Sequence, residues 1–359
     1  MFPYWILFTI PAWLAINSTH TRVLSSIKWS QLWLLFFLFI VLMIGFRHDV
    51  GGDWGNYLDK INDTARYSLQ QVISNSEAGY ALLNFLTAGT GFGIYLVNTA
   101  CALIFAWGLI EFSRNQPRPW LAITVAIPYL VIVVAMGYTR QGTAIGFCML
   151  GMVALFNGKI MRFIVFVLLA ATFHKSAVIL VPLAALAADR NKLWTISWVL
   201  LLSLLVYYLY EDAIVDTYKY RYIDREAQSS GAVIRCLMNV VPAILFLFLR
   251  GRFNRIVVFK KEVVFWTFIS LLAIVLFCLL PLSFSSTAID RFGLYLIPLQ
   301  LFVFSRFPEA FGNAKGGNHS LVLAVVLYSA LVQLVWLLFA LHAGAWLPYQ
   351  FYPWVWLTQ

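Results

Sequence analysis

The sequence predicts an all-α fold, a polytopic transmembrane helical bundle of about 12 spans that forms a single integral membrane domain over residues 1–359. Three observations predict it. Of the residues, 62% are hydrophobic and only 11% charged, whereas a soluble domain carries about a quarter charged residues to wet its surface. Apolar runs close to the ~17–25 residues that a helix needs to cross a bilayer recur from end to end, and the mean hydropathy is +0.82. The charges fall mostly between those runs. A formal net charge of +10 would in another setting suggest a nucleic-acid partner; here the composition discards that class, and the excess needs a different explanation.

Taken in order, the runs lie at about 2–17, 31–46, 91–112, 120–137, 141–156, 160–173, 176–188, 193–210, 233–249, 263–281, 291–305 and 320–342. The first, in MFPYWILFTIPAWLAIN, has no basic residue ahead of it and no small-residue cleavage site behind it, so it reads as a retained span and not a removable signal peptide. The runs at 120–137 and 141–156, and those at 160–173 and 176–188, almost abut. Arg140 and His174 therefore sit in tight hairpins. The closing stretch AWLPYQFYPWVWLTQ is dense in Trp, Tyr and Pro and suits an aromatic belt at the membrane interface. Cys101, Cys148, Cys236 and Cys278 lie in or beside apolar runs without the close spacing of metal or redox motifs, and read as core filler.

Sorting the charges by alternating connections explains the excess. One set of loops holds fifteen Lys and Arg against four acidic residues, the other ten against eleven, so the two sides are net +11 and −1. Basic residues are retained on the cytoplasmic face, which places the first set inside and both termini outside. Most of the net charge is thus a topology signal, joined to attraction for anionic lipid headgroups. The two largest outer connections run over 47–80 and 211–232. No phosphate loop of the Walker type, no zinc-binding HExxH and no cytoplasmic loop large enough for a nucleotide-binding domain is present.

The polar residues in unusual company are on the outer side: Arg47 in FRHDVGGDWGNY, Arg140 in GYTRQG, His174 and Lys175 in TFHKSA, Arg221 and Arg225 in YKYRYIDRE, and Arg291 in AIDRFGLY. In a bundle these five connections share one face, where they would ring a vestibule. Guanidinium presents a planar fork that keeps its charge at any working pH, so such a vestibule suits phosphate, and at a membrane surface the obvious phosphate belongs to a lipid headgroup or a lipid pyrophosphate. Each arginine taken singly also fits as a helix anchor at headgroup level. In the first motif, Gly51 and Gly52 permit a turn and close approach of backbone N–H groups to a ligand. Trp54 and Tyr57 offer flat faces that could stack on sugar rings. Asp49 and Asp53 could offer oxygen to a hard cation, but no third ligand accompanies them, and no metal or cofactor is assigned. His174 could act as a base toward a hydroxyl or donate to a phosphate; His48 competes for that role.

These residues resemble the EpsG family of exopolysaccharide and O-antigen polymerases, which are Wzy-like integral membrane proteins. The resemblance runs from about Trp33 to Pro298. Arg47, Gly51, Asp53 and Tyr57 match an arginine followed by a GxD(aromatic)xxY pattern, Arg140, Gln141 and Ala144 match an RQ motif, His174, Ser176 and Ala177 match an HxSA motif, and Arg291 with Tyr295 match a late Arg/Tyr element. Trp54 stands where the family pattern has a tyrosine, keeping a stacking face without the hydroxyl. The resemblance implies transfer of a growing glycan from undecaprenyl pyrophosphate to the nonreducing end of another lipid-linked repeat unit, on the periplasmic side of a bacterial inner membrane. It implies roles accordingly. Arg140 and Arg291, with Arg47 and Arg221, would hold the pyrophosphate, His174 or Asp53 would orient or deprotonate the acceptor, and Trp54 with Tyr57 would grip sugar. Gln141, Lys175, Arg225 and Tyr295 would complete the substrate site. Its partners would be the undecaprenyl-pyrophosphate-linked oligosaccharide, membrane lipid, and a chain-length regulator and a flippase of the same pathway. An O-antigen ligase or other lipid-linked-donor glycosyltransferase is the alternative, and a lipid-linked oligosaccharide flippase a more distant one.

Overall fold

The structure, a computed structural model, describes residues 1–18, 30–74, 77–187, 197, 231–257, 260–282, 286–312 and 317–358. Its helices are α1 (Phe2–Asn17), α2 (Gln31–Gly45), α3 (Trp54–Thr64), α4 (Leu69–Ser74), α5 (Ala78–Thr87), α6 (Gly93–Arg114), α7 (Pro119–Ala126), α8 (Thr139–Phe156), α9 (Ile160–Phe173), α10 (Ala232–Phe248), α11 (Arg250–Phe253), α12 (Lys260–Leu279), α13 (Ser286–Leu294), α14 (Pro298–Phe311), α15 (His319–Phe339) and α16 (Tyr352–Thr358). The only sheet among the described residues pairs β1 (Arg47–His48) with β2 (Gln350–Phe351) antiparallel.

Among the described residues, three helices are long and apolar enough to cross a membrane, Gly93–Arg114, Lys261–Leu279 and His319–Phe339, and five shorter apolar helices accompany them. The exposed residues of α2 include Leu34, Leu35, Leu38 and Leu42, and those of α15 Leu323, Leu327, Leu331 and Leu334. Spacings of three and four put each set on one helix face. Large apolar stripes of this kind belong against lipid tails.

The centre of the bundle is α7 and its continuation. Every residue from 121 to 137 is buried, the pattern of a helix apolar all round and enclosed by its neighbours; α1, α6, α8, α14 and α15 all pack on it. Past Ile127 the helix widens into a π-helical stretch, Ile127–Ala135, where Pro128 supplies no N–H to the usual ladder. After a short turn the chain returns as α8, whose residues 141–152 are all buried. The return packs tightly against α6. A Cβ on Gly108 would stand 2.1 Å from the Gly146 carbonyl oxygen, and one on Gly146 would stand 2.7 Å from Phe105 Cα. Small residues here let two backbones meet, the usual means of helix association where lipid removes the hydrophobic drive.

Several expectations change at this point. The connection over 47–80 is a folded cap containing β1, α3, α4 and the start of α5. The run at 176–188 winds as a 3-10 helix, Lys175–Ala187. The run at 291–305 is broken: α13 carries Arg291, and α14 begins only at Pro298, whose missing N–H suits a first helical turn. The run at 193–210, apart from Ser197, and the connection at 211–232 up to residue 230 lie outside the described residues. Cys101, Cys148 and Cys236 are buried, but Cys278 is exposed.

The basic residues at the far end, away from the sequence motifs, do more than mark topology. Arg118 Nε lies 2.6 Å from Glu309 Oε1 and Arg306 Nη2 lies 2.9 Å from Glu262 Oε1, with all four side chains at most 8% exposed. Arg306 also donates to Gln116 and stacks over the Phe302 ring. Burying a charge is tolerable when a partner of opposite sign goes with it. Read as loop charges, these residues are instead part of the packing between α7, α12 and α14.

Candidate functional site

At the other end, the motifs meet. Residue Arg47 follows α2 and is completely buried. Its guanidinium donates from Nη1 to the Ile44 carbonyl (2.5 Å), from Nε to the Val50 carbonyl (3.2 Å), and from Nη2 to Asn98 Oδ1 (3.2 Å) and Thr139 Oγ1 (2.7 Å). It ties its own loop to α6 and to the start of α8. The same loop is held from the other side by the C-terminal strap. Arg47 pairs with Phe351 and His48 with Gln350, Tyr349 donates to the Met43 carbonyl, and the Gly51 N–H donates to the Ala345 carbonyl at 2.8 Å. Gly51 is required there on two counts. Its φ is +107°, and a Cβ would stand 2.5 Å from the Met136 carbonyl oxygen, a conformation and an approach open to glycine. The strap also seats Trp346, whose Nε1 donates to the Ile132 carbonyl within the π-helical stretch and whose ring lies on Gly137.

The loop leads into α3, an amphipathic helix whose buried face carries Trp54, Tyr57, Ile61 and Thr64. Asp53 sits half-buried at its N-cap, where it accepts from Asn56 Nδ2 at 3.4 Å. Tyr57 is hydrogen-bonded to Arg140, and burial, with the Asp53 charge nearby, pushes its hydroxyl up to about 12. Arg140 leaves the first turn of α8 and is partly exposed. Its Nη1 lies 2.7 Å from Glu77 Oε2, its guanidinium stands over the Tyr80 ring at 5.8 Å, and its Nε has no partner among the described residues. Lys60, on α3, points its ammonium over the other approach to Tyr80 at 5.7 Å. Burial pulls the Lys60 pKa down, and the Arg140 charge adds to the fall.

Residue His174 caps the end of α9. Its Nδ1 lies 2.5 Å from Ser176 Oγ and 3.2 Å from the Tyr295 hydroxyl, which is itself 3.4 Å from Ser176 Oγ. The motif histidine, the motif serine and the late tyrosine, up to 121 residues apart, thus form one cluster. Burial lowers His174 to about 4; Glu77 pulls the other way, and the charges of Arg291 and Arg140 add to the fall. The imidazole is therefore neutral at physiological pH. When Nδ1 accepts from Ser176, Nε2 carries the hydrogen and donates; when Nδ1 donates, Nε2 is left with its lone pair.

Beside it, Gln141 Nε2 donates to the Arg291 carbonyl at 2.6 Å, which locks the RQ motif to α13. The Arg291 side chain is exposed and has no hydrogen bond or ion pair among the described residues. Its neighbour Asp290 is held by Arg235 through two bonds of 2.5 and 2.8 Å.

The structure thus brings Arg140, Gln141, His174, Arg291 and Tyr295 together, with Lys175 exposed next to His174 and Asp53 beside Tyr57. Three expectations are corrected. Arg47 is consumed by backbone and side-chain acceptors and works as a staple beneath the site. Trp54 and Tyr57, 6% and 3% exposed, belong to the buried face of α3 and present no open ring for a sugar. His48 is engaged with Tyr95, its Nδ1 2.6 Å from the hydroxyl. Arg221 and Arg225 lie outside the described residues. Glu77, Lys60 and Arg235 were missed as site residues. Glu77 had a faint signal, being an isolated acid in the cap beside an apolar helix, but its pairing 63 residues away with Arg140 has no local signature. No group of three or more metal-ligating side chains occurs among the described residues. Chemically, the arrangement offers an anion two guanidinium groups at the edge of a neutral, hydrogen-bonding histidine cluster.

The EpsG family model matches residues 31–351. The chain therefore belongs to the EpsG family, a Wzy-like polysaccharide polymerase family, and is an integral membrane protein of polysaccharide biosynthesis. No curated protein and no solved structure matches it.

Proposed function

We propose that this EpsG-family chain is a glycosyltransferase that polymerises undecaprenyl-pyrophosphate-linked repeat units at the periplasmic face of a bacterial inner membrane, through a bundle of about twelve spans. A growing glycan passes from its lipid pyrophosphate to the nonreducing end of a second lipid-linked repeat. Arg140 and Arg291 bind the donor pyrophosphate and stabilise the charge that builds on it as it leaves. Gln141 fixes the register between them. His174, neutral and set by Ser176 and Tyr295, orients the acceptor hydroxyl, with Lys175 at the rim. Because pyrophosphate is already a good leaving group, positioning and anion stabilisation supply the catalysis. Asp53 remains within the same cap as a further carboxylate, and Arg221 and Arg225 belong to the same outer face by sequence. A chain-length regulator and a flippase of the same pathway would act beside it.

The observation that carries this reading is the convergence of Arg140, Arg291 and the His174–Ser176–Tyr295 cluster from three separate segments, with one guanidinium exposed and lacking a counter-ion among the described residues. Complementation of a strain deleted for this gene tests it. Arg140→Ala, Arg291→Ala and His174→Ala should leave single repeat units where the parent makes long chains. Long-chain polysaccharide from all three, at parental protein levels, would remove the assignments. Accumulation of unattached polymer in the deletion strain would instead identify a ligase.

A further inference from the structure

Glycosyl transfer to a hydroxyl releases a proton, and a group must receive it. His174 has its Nδ1 engaged with Ser176 Oγ and the Tyr295 hydroxyl, which suits it to orienting a hydroxyl. Asp290 is occupied by two bonds from Arg235. Resting on the function proposed above, we propose that Glu77 is the proton acceptor of the polymerising step, and that the donor pyrophosphate releases it by competing for Arg140.

Three observations carry this. Glu77 stands at the N-cap of α5 with its Oε2 2.7 Å from Arg140 Nη1, its side chain 14% exposed. The groups that face it come from three other elements: Lys60 from α3, Arg140 from α8, and His174 after α9. It therefore lies among the cations that a pyrophosphate would seek, next to the histidine cluster assigned to the acceptor. Finally, burial alone would push its carboxyl up, but the Arg140 guanidinium and a backbone N–H outweigh burial and hold it below the usual carboxylate range. A phosphate that engages Arg140 weakens that hold, and the carboxylate becomes more basic. The base is then strongest when the donor is in place.

The step balances. The acceptor oxygen forms a bond to the anomeric carbon while the bond from that carbon to the pyrophosphate oxygen breaks, and its electron pair leaves with the pyrophosphate. The hydroxyl proton passes to the Glu77 carboxylate and later to water. The balance calls for no oxidant or reductant.

The test uses the full-length protein in lipid nanodiscs with inorganic pyrophosphate as the binding probe, together with polymer synthesis in membranes of the deletion strain. Glu77→Gln keeps the shape and removes the competing charge. It should bind pyrophosphate about tenfold more tightly than the parent while polymer synthesis per folded molecule falls at least about 100-fold, the scale of a lost general base. Glu77→Asp should recover part of the synthesis. If Glu77→Gln binds pyrophosphate more weakly and melts earlier, Glu77 merely shapes Arg140 and the proposal falls. Parental polymer synthesis by Glu77→Gln also overturns it. Failure of the broader reading looks different: Arg140→Gln and Arg291→Gln would then both polymerise normally, whatever Glu77 does.

Discussion

The two ends of this bundle both hold arginines, and they hold them in opposite ways. At the far end, Arg118 and Arg306 are buried against Glu309 and Glu262, so charge is closed on itself and serves cohesion. At the motif end, Arg47 is likewise spent on internal acceptors, Arg140 keeps a carboxylate partner but is partly exposed, and Arg291 is exposed with no partner among the described residues. The same side chain is a fastener in one place and, in the function proposed above, an anion receptor in the other. What separates the two uses is exposure: Arg47, Arg118 and Arg306 are buried with their acceptors, whereas Arg140 and Arg291 reach the surface.

That contrast can be broken by experiment, and the largest effect is expected at the far end. Arg118→Leu leaves the Glu309 carboxylate buried and unpaired, which typically costs about 3–5 kcal/mol. Its melting temperature in detergent should fall sharply, and the double variant Arg118→Leu/Glu309→Leu should recover most of the loss. Next comes Arg291→Ala. Without a partner to orphan, it should melt like the parent, yet polymer synthesis should drop by about 10²–10³-fold, the scale of removing one preorganised stabiliser of transition-state charge. An early melt for Arg291→Ala, or a normal one for Arg118→Leu, would erase the distinction between the ends.

A smaller effect sharpens the role of the scaffold beneath the site. Gly51→Ala forces a side chain into a φ of +107° and against the Met136 carbonyl, at a cost of about 1–3 kcal/mol. Because that carbonyl lies in the turn before Arg140, polymer yield should fall by about tenfold at near-parental abundance, measured by glycan gel against immunoblot. The smallest effect is the pH response of His174. With its native pKa near 4, below the ordinary 6.5, its contribution to stability is fully present above 6.5 and is lost as pH falls toward 4. Initial rates between about pH 6.5 and 8 should therefore show no inflection from this residue; a histidine-type inflection abolished by His174→Gln would show that the imidazole is not held neutral.

Much of the helical architecture was legible in sequence because apolar run length is a direct physical signal, and α6, α12 and α15 follow it closely. The motifs were legible as chemistry for a related reason: an arginine or histidine next to a long apolar run is costly unless it has a purpose. Their detailed use was not. Arg47 sits in a loop with two glycines and two aspartates, which reads as open, but Asn98 and Thr139 close over it from residues 51 and 92 positions away. Trp54 and Tyr57 were visible as aromatic faces, and only the amphipathic winding of α3 turned them inward. Glu262 and Glu309 were counted as loop charges because their arginine partners are 44 and 191 residues distant. In each case the deciding contact is tertiary, and no local spacing encodes it.

The most direct measurement is a structure of the full-length protein in nanodiscs with a polyprenyl pyrophosphate bound. The pyrophosphate should lie within hydrogen-bonding distance of both Arg140 and Arg291, beside His174, Ser176 and Tyr295, with Glu77 displaced from Arg140. Pyrophosphate bound elsewhere on the bundle, with the Arg140–Glu77 pair intact and Arg291 facing lipid or solvent alone, would contradict the assignment of this end as the donor site.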